Sequence, residues 1–294
     1  MKKYIPGLLL VIFFLSSCTE NPFTSKENNK LEKEKISGTV VLNDSVAPDE
    51  IFVWLETFNL STYTDEDGKF SITVPLPENQ VGGTGFDGKF TLYFFMGNYK
   101  ADSVDVEFSQ GKFLEDQDNI SNSGKLKNEI VLMPILNIRS VLDADDLDGI
   151  VLDFDREGIY KELIFELQLY SETQVIFSLR EDNKWPARGF FRTGIVFEPV
   201  DDNYNPVFIE SPDAFIYHNA LLLNSSNSWT FELRLLKNDF EEIEYKAYPF
   251  LLVDHPYLPE KLWDALGREK LNFNKNYLHY PFKRTHASVT VIKG

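Results

Sequence analysis

The sequence predicts an all-β protein: two β-sandwich domains in tandem, behind an export leader and a flexible tether. Three observations lead there. Apolar residues recur with a period near two in many short runs, which is the spacing of half-buried strands. Clusters of Gly, Asn, Asp and Pro separate those runs. Aromatic residues make up 14% of the chain, with 25 Phe and 13 Tyr, and large flat side chains of this kind favour a pleated surface. At 294 residues, 43% of them hydrophobic, the chain is long enough for about two cores of ordinary size.

The first eighteen residues read MKKYIPGLLLVIFFLSSC. Lys2 and Lys3 form a positive start, and the apolar stretch from Ile5 to Leu15 follows. A helix needs about 20 residues to cross a hydrocarbon layer of ~30 Å, so this stretch suits a signal peptide over residues 1–17 rather than a span. Its last four residues, Leu15-Ser16-Ser17-Cys18, resemble the lipobox of bacterial lipoproteins. The resemblance implies that the Cys18 thiol receives a diacylglyceryl group, that the leader is cut before it, and that the new amino group is acylated, palmitate being a typical chain. Several acyl chains at ~0.8 kcal/mol per buried methylene make a lasting anchor. The implied location is the bacterial cell envelope, lipid-anchored at the outer membrane.

Cys18 is the single cysteine, so no intramolecular disulfide can form and no zinc site can be built on thiolates. Residues 18–35 are polar and charged after that cysteine and read as a tether, reaching roughly 20–25 Å by random-coil scaling.

Residues 36–135 read as the first sandwich. Strands are expected at Ile36–Leu42, Ile51–Glu56, Lys69–Val74, Phe90–Phe95, Ser103–Phe108 and Ile130–Leu132. Thr64-Asp65-Glu66-Asp67-Gly68-Lys69-Phe70 predicts a tight turn: Asp65 accepts backbone N–H bonds across it, Gly68 takes a positive φ, and Phe70 enters the core. With the Gly38-Thr39-Val40 opening and the closing Ile130-Val131-Leu132, this turn resembles the carboxypeptidase regulatory-like (transthyretin-like) domain. That family implies a seven-stranded, non-catalytic sandwich serving as a spacer, stabiliser or interaction module. The Gly-rich 81–88 segment departs from the pattern and suggests a long end loop.

Residues 136–294 read as a second β-sandwich of no recognised family. Strands are expected at 163–170, 174–179, 229–235, 245–253 and 287–291, the first two joined by the hairpin-length link Ser171-Glu172-Thr173. One helix is expected, between Pro259 at its start and Gly267 at its stop. Two acidic clusters stand at the entrance: Asp143, Asp145, Asp146 and Asp148, then Asp153, Asp155 and Glu157 before Gly158. The alternation of 153, 155 and 157 matches the first half of an EF-hand calcium loop. The match stops there, because the twelfth position is Ile164. Asp143, Asp145, Asp148, Asp153, Asp155 and Glu157 are therefore candidate calcium ligands, with solvated turns as the alternative.

The formal charge of −17 argues against a nucleic-acid partner, whose phosphates call for Lys and Arg patches. The four histidines stand in no HExxH or HxH arrangement, and no Gly-x-Ser-x-Gly elbow or Walker loop is present. Trp185 and Tyr204 lie beside Asn and Asp in turn-like segments, where a ring can stack on a sugar while polar neighbours bond its hydroxyls. The reading is a non-catalytic, membrane-anchored envelope lipoprotein whose second domain binds a protein or glycan. An accessory glycan binder of nutrient capture and a hydrolase with an acidic site in 136–294 are the alternatives.

Overall fold

The computed structural model describes residues 34–74, 87–109, 112–114, 119–142, 150–170, 175–176, 179–180, 191–211, 226–253, 255 and 257–294. These form an all-β molecule of stacked sheets with one short α-helix.

The N-terminal strands are β1 (Glu34–Leu42), β2 (Phe52–Leu55), β3 (Leu60–Tyr63), β4 (Lys69–Val74), β5 (Gly88–Phe95), β6 (Asp102–Ser109), β7 (Lys112–Phe113) and β8 (Ile130–Leu132). They make a three-stranded sheet, β4-β1-β8, and a five-stranded sheet, β3-β2-β5-β6-β7. Strand β4 shows the expected alternation: Phe70, Ile72 and Val74 are buried while Lys69, Ser71 and Thr73 face out. The inward rows of the two sheets meet in one core, where Phe70 and Phe94 stand edge to face with centroids 5.6 Å apart. The 64–70 turn carries the chain from one sheet to the other. Asp65 Oδ1 accepts from the N–H groups of Asp67 (3.1 Å) and Lys69 (2.8 Å), and Gly68 sits at φ 74°. A Cβ on Gly68 would lie 2.1 Å from the Val40 carbonyl oxygen, so both the turn and the close approach demand glycine.

Strand β2 does not alternate. Phe52, Val53, Trp54 and Leu55 are all buried, as expected of a strand covered on both faces. Val53 and Leu55 belong to the inner core, whereas Phe52, Trp54 and Phe95 belong to a second core otherwise built from residues 135–291.

The remaining strands are β9 (Leu136–Leu142), β10 (Ile150–Asp153), β11 (Gly158–Leu169), β12 (Val175–Ile176), β13 (Leu179–Arg180), β14 (Phe191–Pro199), β15 (Val207–Ser211), β16 (Ser226–Leu236), β17 (Glu244–Pro249), β18 (Leu252–Val253) and β19 (Ala287–Ile292), with α1 at Glu260–Leu266. One sheet runs β10-β19-β17-β14-β13 with β15 also on β14, a second runs β16-β11-β9, and β12 pairs with β18. Leu233 and Leu235 of β16 are buried with Leu152, Phe197, Tyr245, Val289 and Val291 of the larger sheet.

The fold corrects three expectations. The 163–170 strand begins earlier, at Gly158, and it forms no hairpin with the next one. Strands β16 and β9 occupy both edges of β11, which leaves the Val175–Ile176 pair to find β18 instead. The strand at the tether's end also opens at Glu34 rather than Ile36.

Candidate functional site at the junction of the two cores

The residues singled out in the sequence fall into three groups. Cys18, Asp143, Asp145, Asp148 and Trp185 lie outside the described residues, as does most of the 81–88 loop. Asp153, Asp155 and Glu157 are all exposed around the turn from β10 into β11, while Leu152 before them and Phe154 between the first two are buried. The spacing of Asp153 and Asp155 thus also follows from Leu152 and Phe154 facing the core, whereas Arg156 and Glu157 are both exposed on the turn. Among the described residues, no group of three or more His, Cys, Asp or Glu is arranged to hold a metal ion. Tyr204 stands half-exposed on the turn between β14 and β15. There Asp201 Oδ1 accepts from Asn203 N (3.0 Å) and Nδ2 (2.7 Å), so the polar neighbours of Tyr204 are partly committed to the turn itself.

An open depression of about 540 Å³ is lined by Asp49, Glu50, Thr64, Asp65, Glu66 and Asp67. Its carboxylates are largely engaged. Asp65 closes the turn, Asp67 pairs with Lys69 at 2.6 Å, and Asp49 pairs with Lys283. The Lys69 ammonium holds the Asp67 carboxyl below its ordinary range through a hydrogen bond.

Sequence reasoning missed the most heavily built polar and aromatic arrangement, which joins the five-stranded sheet to the C-terminal half. The turn after β5, Gly97-Asn98, carries it. Gly97 N–H donates to the Pro281 carbonyl at 2.7 Å, and the Gly97 carbonyl meets His255 Nε2 at 2.9 Å. Asn98 Nδ2 donates to the Lys283 carbonyl (3.1 Å), and Asn98 Oδ1 accepts from Lys283 N–H (3.0 Å). The Asn98 carbonyl accepts from Ile135 N–H at 2.8 Å, so the chain connecting the two cores is tied to the same turn. A Cβ on Gly97 would come within 2.7 Å of Phe282 and 2.8 Å of Tyr280; only glycine permits this approach.

Phe95 is the apolar centre of the junction. Its ring stands edge to face with His255 (5.0 Å) and Trp263 of α1 (5.2 Å), and lies 6.1 Å from Tyr280. On the sheet, Trp54 keeps its indole N–H satisfied by Asn59 Oδ1 at 3.0 Å. Burial drives the His255 pKa down to about 4 against the opposing pull of the Gly97 carbonyl, so the imidazole is neutral at neutral pH. Burial likewise raises the Tyr280 phenol above its ordinary value. Lys270 reaches across to Tyr63 of β3, its Nζ 2.8 Å from the phenol oxygen.

Just beyond His255 the surface changes. Leu258 N–H closes a turn on the His255 carbonyl at 3.1 Å, and Tyr257 inside that turn is 97% exposed. A ring fully in solvent on a loop rooted at a buried, hydrogen-bonded residue can serve as a contact for a partner, since tyrosine supplies large area at low entropic cost. The sequence signal for it is the Pro256-Tyr257-Leu258-Pro259 run, whose two prolines stiffen the backbone.

No family model matches the sequence, and no curated protein matches it. Among solved structures, BcpA, the major pilin subunit of Bacillus cereus, is similar over 74% of this chain at 12% identity, with a TM-score of 0.25. The matched region spans 63% of the pilin chain.

Proposed function

We propose that this chain is a lipid-anchored, non-catalytic protein of the bacterial cell envelope. In this reading Cys18 bears the lipid and the residues from it to β1, 18–33, form the tether. Residues 34–135 are a carboxypeptidase regulatory-like sandwich, and residues 136–294 are a second β domain that engages an envelope protein or a glycan. The observation that carries the reading is the junction. Gly97, Asn98, Phe95 and His255 tie the five-stranded sheet to the C-terminal half. The surface carrying Tyr257 is therefore held in a fixed orientation relative to the sandwich that begins at β1, behind the tether. A presenting scaffold gains from such fixity, because less orientational freedom is lost when a partner docks.

The anchor is tested by metabolic labelling with an alkyne fatty acid, followed by membrane fractionation. The native chain is expected to label and to sediment with membranes, and Cys18→Ser to do neither. Partner engagement is tested by a photo-crosslinking residue at position 257 in living cells, with one at exposed Ser71 as the comparison. A discrete adduct at 257 alone supports the reading; equal adducts at both positions, or none at 257, count against it.

A further inference from the structure

We propose that the contact between the five-stranded sheet and the C-terminal half is an acid-sensitive joint, with the His255 imidazole as its trigger. Two apolar faces meet in the joint. The outer face of the sheet offers Phe52, Trp54 and Phe95, and the C-terminal half covers them with Trp263, Tyr280 and His255. All but the imidazole are groups that stay uncharged in mild acid. Among the described residues, His255 is thus the one side chain within this apolar contact whose charge changes between about pH 4 and 7.

A protonated imidazole would find little among these residues to neutralise it. Toward β5 it faces the Phe95 ring and the Gly97 carbonyl, and toward α1 it faces Trp263 at 6.4 Å. The charged groups on the elements packed around it are committed elsewhere. Glu260 and Asp264 of α1 both pair with Arg268, and Lys261 is exposed. On the 280–284 segment Lys283 pairs with Asp49, and Arg284 is held by ring faces and backbone carbonyls. Burial is the dominant influence on His255, and it disfavours the cation.

Linkage fixes the direction of the effect. The closed joint holds His255 at a pKa of about 4, whereas an opened joint returns it to about 6.5. Above that value both forms are neutral and the joint has its full strength. Between the two values the opened form takes up a proton that the closed form refuses, so each unit of acidification favours opening by up to tenfold. Across the window the shift is on the order of 10²-fold. Opening would expose Phe52, Trp54 and Phe95 together and free the C-terminal half to reorient. The inner sandwich, with a core of its own, would remain.

Amide hydrogen exchange read by mass spectrometry tests this on the full chain, at about pH 7.5 and about pH 4.5 with intrinsic rates corrected. In the native protein, peptides covering 94–99, 257–266 and 279–284 are expected to lose protection at least tenfold at the lower pH, while those of β1, β4 and β8 keep theirs. His255→Gln retains a donor for the Gly97 carbonyl and cannot ionise, so it is expected to stay closed. The proposal is overturned if junction peptides are equally protected at both pH values, if β1, β4 and β8 open in the same step, or if His255→Gln opens as the native chain does. Should that variant fail to fold, the His255 ring is titrated in the native protein by NMR. A midpoint below about 5.5 supports the joint and a higher one overturns it.

Discussion

The carboxamide of Asn98 grips the backbone of Lys283 with both of its ends, donating to the carbonyl at 3.1 Å and accepting from the N–H at 3.0 Å. The two residues are 185 positions apart, and Asn98 itself is buried. A side-chain amide used in this way stands in for a strand partner: it satisfies one donor and one acceptor of a segment that belongs to no sheet. It also orients Lys283, whose ammonium returns to the Asp49 carbonyl at 2.8 Å and to the Asp49 carboxylate.

Replacing Asn98 with alanine should therefore cost about 2 kcal/mol, since it removes two bonds and strands the Lys283 backbone groups in a partly desolvated site. Urea denaturation at neutral pH would measure it. A loss within the scatter of surface substitutions, about 0.5 kcal/mol, would show that water replaces the amide without penalty.

Gly97→Ala acts on the same turn by a different route. The added methyl meets Phe282 at 2.7 Å and Tyr280 at 2.8 Å, and both rings are packed in the junction core. Neither can withdraw as a flexible side chain would, so overpacking should cost roughly 1–3 kcal/mol. The outward-facing Ser71→Ala on β4 serves as the comparison, with an expected change inside about 0.5 kcal/mol. Thermal melts of both variants decide it: equal midpoints would refute the close approach.

The turn at 65–68 allows a sharper ordering of variants. Gly68→Ala places a Cβ 2.1 Å from the Val40 oxygen at φ 74° and should cost at least about 2 kcal/mol. Asp65→Ala removes the acceptor for two backbone N–H groups and should cost about 1 kcal/mol. Asp65→Asn keeps an acceptor oxygen and should be nearly neutral. An Asp65→Asn protein as unstable as Asp65→Ala would mean that the carboxylate charge, rather than turn bonding, holds this loop.

Much of the N-terminal sheet pattern is legible in the sequence because its strands are half-buried and punctuated. Strand β4 reads polar-apolar along its length, and Asp65 with Gly68 marks the 64–70 turn. Other strands are hidden by local composition. Strand β14 contains Gly194 and ends in Pro199, residues that read as breakers, and its glycine is instead required beneath the Phe273 ring. The four residues of β10 end on Asp153, so their apolar run merges locally into an acidic loop. Strand partners are less legible still: nothing local in 158–169 says that 136–142 and 226–236 flank it. The junction escapes for the same reason. His255 is one of the four histidines that stand in no metal-ligand spacing, and only the fold brings it to Gly97, 158 positions away.

Arg284 offers the most discriminating substitution. Its guanidinium lies 4.6 Å from the Tyr277 ring centroid, 5.3 Å from that of Tyr248 and 5.7 Å from that of Phe282. Its Nη2 donates to the carbonyls of Tyr277 (2.9 Å) and Tyr280 (3.1 Å), and Nη1 to that of Phe282 (3.3 Å). The segment 277–282 is thus wrapped around one planar cation, although its Nε is buried without a hydrogen-bond partner among the described residues. A lysine retains the charge but lacks the flat fork that reaches several carbonyls while stacking on rings. Arg284→Lys should accordingly cost about 2–3 kcal/mol. Arg284→Met, which removes a partly desolvated charge along with the bonds, should cost no more than Arg284→Lys. Equilibrium urea unfolding of the two variants side by side separates the contributions. If lysine proves as stable as the native residue, charge alone holds the segment and the planar geometry is incidental.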